Sequence, residues 1–529
     1  GWYRKVFTYQ KKEGIRTFIR FDGVYMDSKV YVNGALAGEW KYGYSAFMFD
    51  ITDLVKDGEN IITVRVDHHL PNSRWYSGAG IFRKVWLCES PEIRFGNDGI
   101  YITTSKQEDG WQVTVKAEML RPVGTPLGGI RIRNTTLDKN GKAVASYESD
   151  ACGADISCIP EAVRVKGVSY SLTAQTMTVK DPELWDITSP VLYTMVSEIL
   201  VDGGCVQRVS QKFGFRTIKF KCDSGFYLNG RHVKLHGSCE HHDNGCLGAV
   251  SNPAAIRRRF KKLRKMGINA IRTSHNMPAE EFMDIADETG MLILSEGFDM
   301  WERSKTDYDY ARFFDEWVEK DVASWVRHDR NRPSIIGWSV GNEIFDTHAD
   351  ERGQEVTAWL KRLVRLHDPD GNGYVTFGSN YMQWENGQKC ADILKLAGYN
   401  YGERLYEEHH TAHPDWMIYG SETASVVQSR GIYHFPLSET LLTDDDEQCS
   451  SLGNSCTGWG AKNTEACIIA DRDAEYCAGQ FIWTGFDYIG EPTPYSTKNS
   501  YFGQFDTAGF AKDSAYVFRA EWTDYKAEP

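Results

Sequence analysis

The first stretch of the chain alternates apolar and polar residues with a period of two. Arg16-Thr17-Phe18-Ile19-Arg20-Phe21 and Ile61-Ile62-Thr63-Val64-Arg65-Val66 read as strands, rich in aromatic and β-branched side chains. Val30-Tyr31-Val32 runs into Asn33-Gly34, the strongest short hairpin signal. No helical period competes, so residues 1–92 predict an all-β sandwich. Val113-Thr114-Val115 and Ile130-Arg131-Ile132 carry the alternation onward. Their spacing predicts a second, immunoglobulin-like sandwich over 93–216, closing at Lys212-Phe213-Gly214-Phe215-Arg216.

Beyond residue 217 the period changes. Ile256, Phe260, Leu263 and Met266 recur at helical spacing, and the strand Ile268-Asn269-Ala270-Ile271-Arg272 follows. Phe282, Ile285, Ala286 and Thr289, then Trp317, Val318, Val322 and Trp325, mark two more amphipathic helices, each followed by an apolar strand. This repeat predicts a parallel sheet covered by helices. Its length and repeat number favour a (β/α)8 TIM barrel over 217–529, with strands beginning near 233, 268, 291, 335, 373, 396, 416 and 479.

A barrel of this kind does its chemistry at the C-terminal ends of its strands. Two of those ends carry a carboxylate: Gly341-Asn342-Glu343 on the fourth and Ser421-Glu422 on the seventh. Paired carboxylates at one mouth are what glycosidic cleavage needs, one giving a proton to the leaving oxygen and the other attacking or activating water. Alone, a strand-end glutamate is more often a solvated charge. Here the other ends supply His241, His242 and Asp243, Arg272 with His275 and Asn276, Tyr399-Asn400-Tyr401, and Trp483. Aromatic faces suit the apolar faces of sugars, and His, Asn, Asp and Arg suit hydroxyls.

Two other patterns compete. Gly337-Trp338-Ser339-Val340-Gly341 fits the G-x-S-x-G elbow of acyl hydrolases, but that elbow needs a helix directly after the serine, and here a strand continues through it. His409, His410 and His413 beside Glu407 and Glu408 have metal-type spacing, but the segment precedes the seventh strand and is expected on a connecting helix away from the mouth.

Charge and cysteine content narrow the class further. Sixty basic against 73 acidic residues give a net charge of −13, unlike a nucleic-acid-binding face. No apolar run approaches the about 18 residues of a membrane span. Twelve cysteines without a CxxC predict mostly free, buried thiols in a reducing compartment.

Several stretches resemble glycoside hydrolase family 2, the family of β-galactosidases, β-glucuronidases and β-mannosidases. Arg74-Trp75-Tyr76-Ser77-Gly78-Ala79-Gly80-Ile81-Phe82-Arg83 is similar to the family's signature closing its sugar-binding jelly roll. Leu184-Trp185 with Ser189-Pro190-Val191-Leu192-Tyr193 is similar to its immunoglobulin-like domain. Asn269 to Asn276 and Asp329 to Glu343 resemble its two barrel signatures. The resemblance implies retention of configuration through a covalent glycosyl-enzyme, with Glu343 as acid/base and Glu422 as nucleophile. It implies that Asn342 holds the sugar 2-hydroxyl and that Arg272 and Tyr401 orient Glu422. His241, Asp243, His275 and Trp483 would line the −1 sugar subsite.

For the sugar, the resemblance is strongest to bacterial β-galactosidase-type members, through Gly297-Phe298-Asp299-Met300-Trp301 and Tyr501-Phe502-Gly503. The alternatives are a β-glucuronidase or β-galacturonidase, and a non-catalytic carbohydrate-binding protein. The N-x-K pair by which family β-glucuronidases grip a carboxylate is missing from Ser496 to Gly503, where Lys498 offers the only charge. Glu296 is followed by Gly297-Phe298-Asp299 without the histidine of metal-binding members, so no cofactor is expected and Mg or Na finds no support. The implied partner is a carbohydrate, with no nucleic acid and no membrane. A cytoplasmic homo-oligomer is expected, and the jelly roll is expected to be N-terminally incomplete.

Overall fold

The computed structural model describes residues 1–525 apart from 437, 440, 443–448, 452–454 and 457–463. Some residues of the expected barrel segment therefore lie outside the described set.

The N-terminal region is a β-sandwich. One sheet orders Trp2–Tyr9, Gly58–Val66, Ser28–Val32 and Ala35–Trp40; the other orders Phe47–Asp50, Ile15–Phe21 and Val85–Pro91. Strand Ser28–Val32 alternates buried and half-buried positions, and its inward residues Val30 and Val32 join Ile19, Phe21, Val64 and Val66 in the core. Asn33 and Gly34 turn the hairpin with φ of 50° and 87°, the left-handed pair that matches strand twist.

A second sandwich follows. Its sheets centre on Gly110–Pro122 and on Ile130–Leu137 with Tyr193–Val201, and they enclose Val113, Val115, Ile132, Met195 and Ile199. Trp185, fully buried, closes it against the barrel and donates its indole N–H to the Asp287 carbonyl at 2.8 Å.

The third region is a closed barrel of eight parallel strands. In order they are Leu235–Glu240, Ala270–Thr273, Leu292–Glu296, Ile335–Asn342, Tyr374–Ser379, Leu396–Asn400, Met417–Ala424 and Cys477–Trp483. The last pairs with the first, so no edge is left open. Each starts within two residues of its expected position. The connecting helices fall where the apolar spacing put them: Pro253–Lys265 buries Ile256, Phe260 and Leu263 and is capped by Asn252. Ser339 lies buried inside the fourth strand with its hydroxyl on Glu296, not at an elbow. The short helix Tyr406–Ala412 carries His409 and His410, and His410 and His413 stack on Tyr476 and Trp416 at 3.8 Å. No metal-type cluster occurs among the described residues.

The cysteines differ in part from expectation. Those described are free, but five are buried while Cys152, Cys158, Cys205 and Cys246 are exposed. Cys152 lies in a loop, Cys158 and Cys246 in single helical turns and Cys205 on an edge strand, which the apolar pattern around each does not reveal.

Both sandwiches are fastened to the barrel by buried polar contacts. Asp321, on helix Phe314–Asp329, accepts from Trp40 Nε1 at 2.9 Å, Ser45 Oγ at 2.7 Å and the Tyr310 hydroxyl. Burial pushes the Asp321 carboxyl up to about 7 despite those donors. Arg83 donates to the Met277 carbonyl at 2.7 Å and the Tyr44 carbonyl at 2.9 Å. Arg327 grips both oxygens of Glu118, joining the second sandwich to the barrel at 2.7 and 2.8 Å. The sandwiches are thus parts of one packed body. Replacing Trp185 by Ala should cost about 3–5 kcal/mol and lower the urea midpoint; a midpoint within error of wild type would show that this joint carries no stability.

Candidate active site

Arg272 ends the second barrel strand and is completely buried. A guanidinium there is tolerable only if each face meets an acceptor. Its Nη1 donates to Glu422 at 2.9 Å and to the Ser421 carbonyl at 3.0 Å. Its Nε donates to Glu296 at 2.9 Å and its Nη2 to Asn342 Oδ1 at 2.7 Å. Strands two, three, four and seven are therefore drawn onto one cation.

The two glutamates expected to do chemistry face one another. Asn400, at the end of the sixth strand, donates from a single amide nitrogen to Glu343 at 3.2 Å and to Glu422 at 3.1 Å. Its oxygen accepts from Ser421 Oγ at 2.7 Å, which fixes the direction of the amide. Tyr401 donates its hydroxyl to the other Glu422 oxygen. Burial, then the neighbouring Glu343 charge, pushes the Glu422 carboxyl up to about 7, against the pull of Arg272 and Tyr401. Glu343 and Tyr401 hold φ of 46° and 52°. Such values cost about 1 kcal/mol or more in a residue with a Cβ and cluster where function demands a side-chain direction.

A second network secures Glu343 from the opposite side. Asp299 Oδ1 accepts from Arg74 at 2.9 Å, Lys305 at 2.8 Å and Asn342 Nδ2 at 2.9 Å. Arg74, from the first sandwich, also reaches Glu343 at 3.4 Å and Glu491 at 3.8 Å. Lys305 further donates to the Asn342 carbonyl at 2.9 Å. Asn342 thus has its side chain tied to Arg272, Asn400 and Asp299.

The rest of the mouth is aromatic. His275 stacks on Trp483 at 5.3 Å and 2°, and meets Trp75 edge-on at 5.5 Å. His241 stacks on Trp75 at 5.0 Å and lies 4.3 Å from Tyr488. Burial holds both histidines well below the usual imidazole range, so both are neutral. His275 Nδ1 sits 2.6 Å from Glu296; a carboxylate only accepts, so that nitrogen carries the proton. Both ring nitrogens of His241 are buried without a hydrogen-bond partner among the described residues. The backbone of Ser274 is the polar group that approaches the ring.

Of the residues anticipated from sequence, the fold brings Glu343, Glu422, His241, Arg272, His275, Asn342, Tyr401 and Trp483 together. Asp243 is buried beside the mouth, its Oδ1 accepting the Gly245 N–H at 3.0 Å while its carbonyl receives Arg259. Lys498 is exposed on the loop before Asn499–Ser500 and makes no hydrogen bond or ion pair among the described residues. Arg74, Trp75, Asp299, Lys305, Asn400, Tyr488 and Glu491 were not singled out as site residues. Arg74 and Trp75 sit in a signature motif, and Asn400 lies between two marked tyrosines; nothing local marks Lys305 or Glu491.

Models of glycosyl hydrolases family 2 match in three consecutive pieces: the sugar binding domain over 1–91, the middle domain over 97–216 and the TIM barrel domain over 219–416. A "Beta-galactosidase BoGH2A" of Bacteroides ovatus is 38% identical over 99% of this chain and 65% of its own length. A "Putative beta-glucuronidase" of Formosa agariphila is 34% identical over 99% of this chain and 50% of its own. The crystal structure of a family 2 member from Bacteroides cellulosilyticus superposes with a TM-score of 0.83 at 32% identity, covering 99% of this chain and 62% of that one. A barrel with two facing strand-end carboxylates, behind two β-sandwiches, is the architecture of this class. The chain belongs to glycoside hydrolase family 2. It spans between half and two thirds of the length of these relatives.

Asn400→Leu, which keeps the volume and removes the shared donor, should lower kcat about a hundredfold on an aryl glycoside, the penalty of slightly misplaced reacting groups. Steady-state kinetics with an unchanged melting temperature would check it; an unchanged kcat would mean the shared amide positions nothing.

Proposed function

We propose that the protein is a retaining exo-β-glycosidase that releases terminal β-galactosyl residues. The observation that carries the reading is the Asn400 amide bonded to both glutamates. Two oxygens within 3.2 and 3.1 Å of one nitrogen lie closer to each other than those distances combined. That brings the two carboxyl groups to one site and is compatible with the about 5–5.5 Å of a retaining pair.

In the first step Glu422 attacks the anomeric carbon and the glycosidic C–O bond breaks. Glu343 gives its proton to the departing oxygen, and a Glu422 ester remains. In the second step Glu343 takes a proton from water, whose oxygen displaces Glu422 and frees the sugar. Arg272 and Tyr401 stabilise the carboxylate that leaves in this step. Trp75, His241, His275, Trp483 and Tyr488, with Arg74 and Glu491 near Glu343, would flank one terminal sugar.

A neutral sugar is favoured by charge. Arg272, Arg74 and Lys305, the cations of this mouth, already face Glu422 and Glu296, Asp299 and Glu343, and Asp299. None of these three is left over for a substrate carboxylate. A metal beside Glu343 does not fit the same residues: Glu296 meets Arg272 and His275, and Asp299 meets Arg74 and Lys305.

Nitrophenyl β-galactoside should exceed the β-glucuronide, β-galacturonide and β-mannoside by about tenfold or more in kcat/KM, about 1.4 kcal/mol in the transition state. A uronide ahead of the galactoside would overturn the sugar assignment. The pH profile tests the carboxylate roles. Glu422 must be ionised to attack, and its carboxyl is raised to about 7, so the rate falls as pH drops below about 7. Glu343→Gln removes the like charge. With a dinitrophenyl glycoside, whose leaving group needs no proton, the acid limb should move down by about one pH unit. A limb that stays put would show that the two carboxyls do not act on each other.

A further inference from the structure

Glu343 has a second side that the sugar pocket does not occupy. The chain beyond it runs through Phe345 into the short helix Asp346–Ala349, which carries His348. The Glu343 N–H donates to the Gly378 carbonyl at 2.8 Å, so the exit of the fifth strand lies alongside. That exit leads to Tyr381 and Trp384, just ahead of helix Glu385–Leu394. These four rings form one cluster. His348 stacks on Tyr381 at 4.0 Å and 26°, and it meets Trp384 edge-on at 5.5 Å and Phe345 at 6.1 Å. Lys305 Nζ, already bonded to Asp299, stands 6.0 Å from the Phe345 ring and links the cluster to the Glu343 network.

The cluster is open to solvent. Trp384 is 51% exposed and Phe345 38% exposed. Aromatic side chains packed against one another hold their faces still, so stacking a ligand on them costs little conformational entropy. Such faces suit the C–H face of a pyranose. Their position suits one part of a glycoside. The general acid must touch the leaving oxygen, so the leaving group lies on the acid's side of the broken bond. The −1 pocket is walled by Trp75, His275 and Trp483. The ring cluster adjoins Glu343 from the exits of strands four and five. The Tyr381 hydroxyl feels the Glu343 charge, which together with burial raises it above the usual phenol range.

We infer that Phe345, His348, Tyr381 and Trp384 form the leaving-group subsite, which stacks a sugar ring attached through the glycosidic oxygen. The inference rests on the glycosidase reading above. It assigns the preference for a glycosidic rather than a small leaving group to this cluster, with Trp384 the principal face.

The test compares two substrates with the same sugar, using the full-length protein. Lactose has a pyranose leaving group, whereas β-galactosyl fluoride leaves only fluoride. Trp384→Ala and Phe345→Ala should each lower the ratio of kcat/KM for lactose to that for β-galactosyl fluoride by about tenfold, mostly through KM. Trp384→Tyr, which keeps a ring, should restore most of the ratio. A misfolded variant would lose both substrates together and leave the ratio unmoved. An unmoved ratio in a variant that still turns over the fluoride overturns the subsite. If the wild type cleaves neither galactoside but cleaves another glycosyl fluoride, the sugar assignment fails instead, and the same ratio is read with that sugar. If it cleaves no glycosyl fluoride, the glycosidase reading and the subsite fall together.

Discussion

One buried cation organises this protein. Arg272 has no solvent to screen it, so its charge must be met by groups that the barrel brings from three other strands. Removing any acceptor would leave an uncompensated charge in a low-dielectric interior, a cost of several kcal/mol. That constraint fixes Glu422, Glu296 and Asn342 relative to one another before any ligand arrives. A site whose reacting groups are already placed spends none of its binding energy on arranging them.

The arrangement is electrostatically frustrated in a useful way. Glu422 and Glu343 share one amide donor, and two carboxylates that close cannot both ionise freely. Burial adds to the same side, which is why Glu422 is raised to about 7 even with Arg272 and Tyr401 upon it. The histidines are driven the other way by the same burial and stay neutral, so His241 and His275 present ring nitrogens and flat faces rather than charge. The positive φ of Glu343 and Tyr401 fits this picture, because strain at those two residues is offset by the network that holds their side chains.

The barrel does not complete the mouth alone. Arg74 and Trp75 come from the first sandwich, and they reach Asp299, Glu343 and His241 only because Trp40, Ser45 and Arg83 fasten that sandwich to the barrel helices. The sandwich is thus part of the site as well as a neighbour of it. Its contribution is positional: Arg74 neutralises Asp299 and reaches Glu343, while Trp75 packs against the rings of His241 and His275.

The sequence by itself was informative wherever the physics is local. Period-two alternation marks both sandwiches, because a strand buries every second residue, and period 3.6 marks the barrel helices, because a helix buries a stripe. Eight strand starts were legible for the same reason. So were Glu343 and Glu422, since a parallel barrel always presents its C-terminal strand ends at one mouth. Tertiary structure decided the rest. It chose Asn400 as the bridge between the glutamates, left Lys498 in solvent, and drew Arg74 across from another domain to Asp299. Each of these depends on distance between residues far apart in the chain, and hydrophobic periodicity carries no record of such distances. The exposed cysteines escaped for a related reason: burial in loops, short turns and edge strands depends on what the fold lays against them.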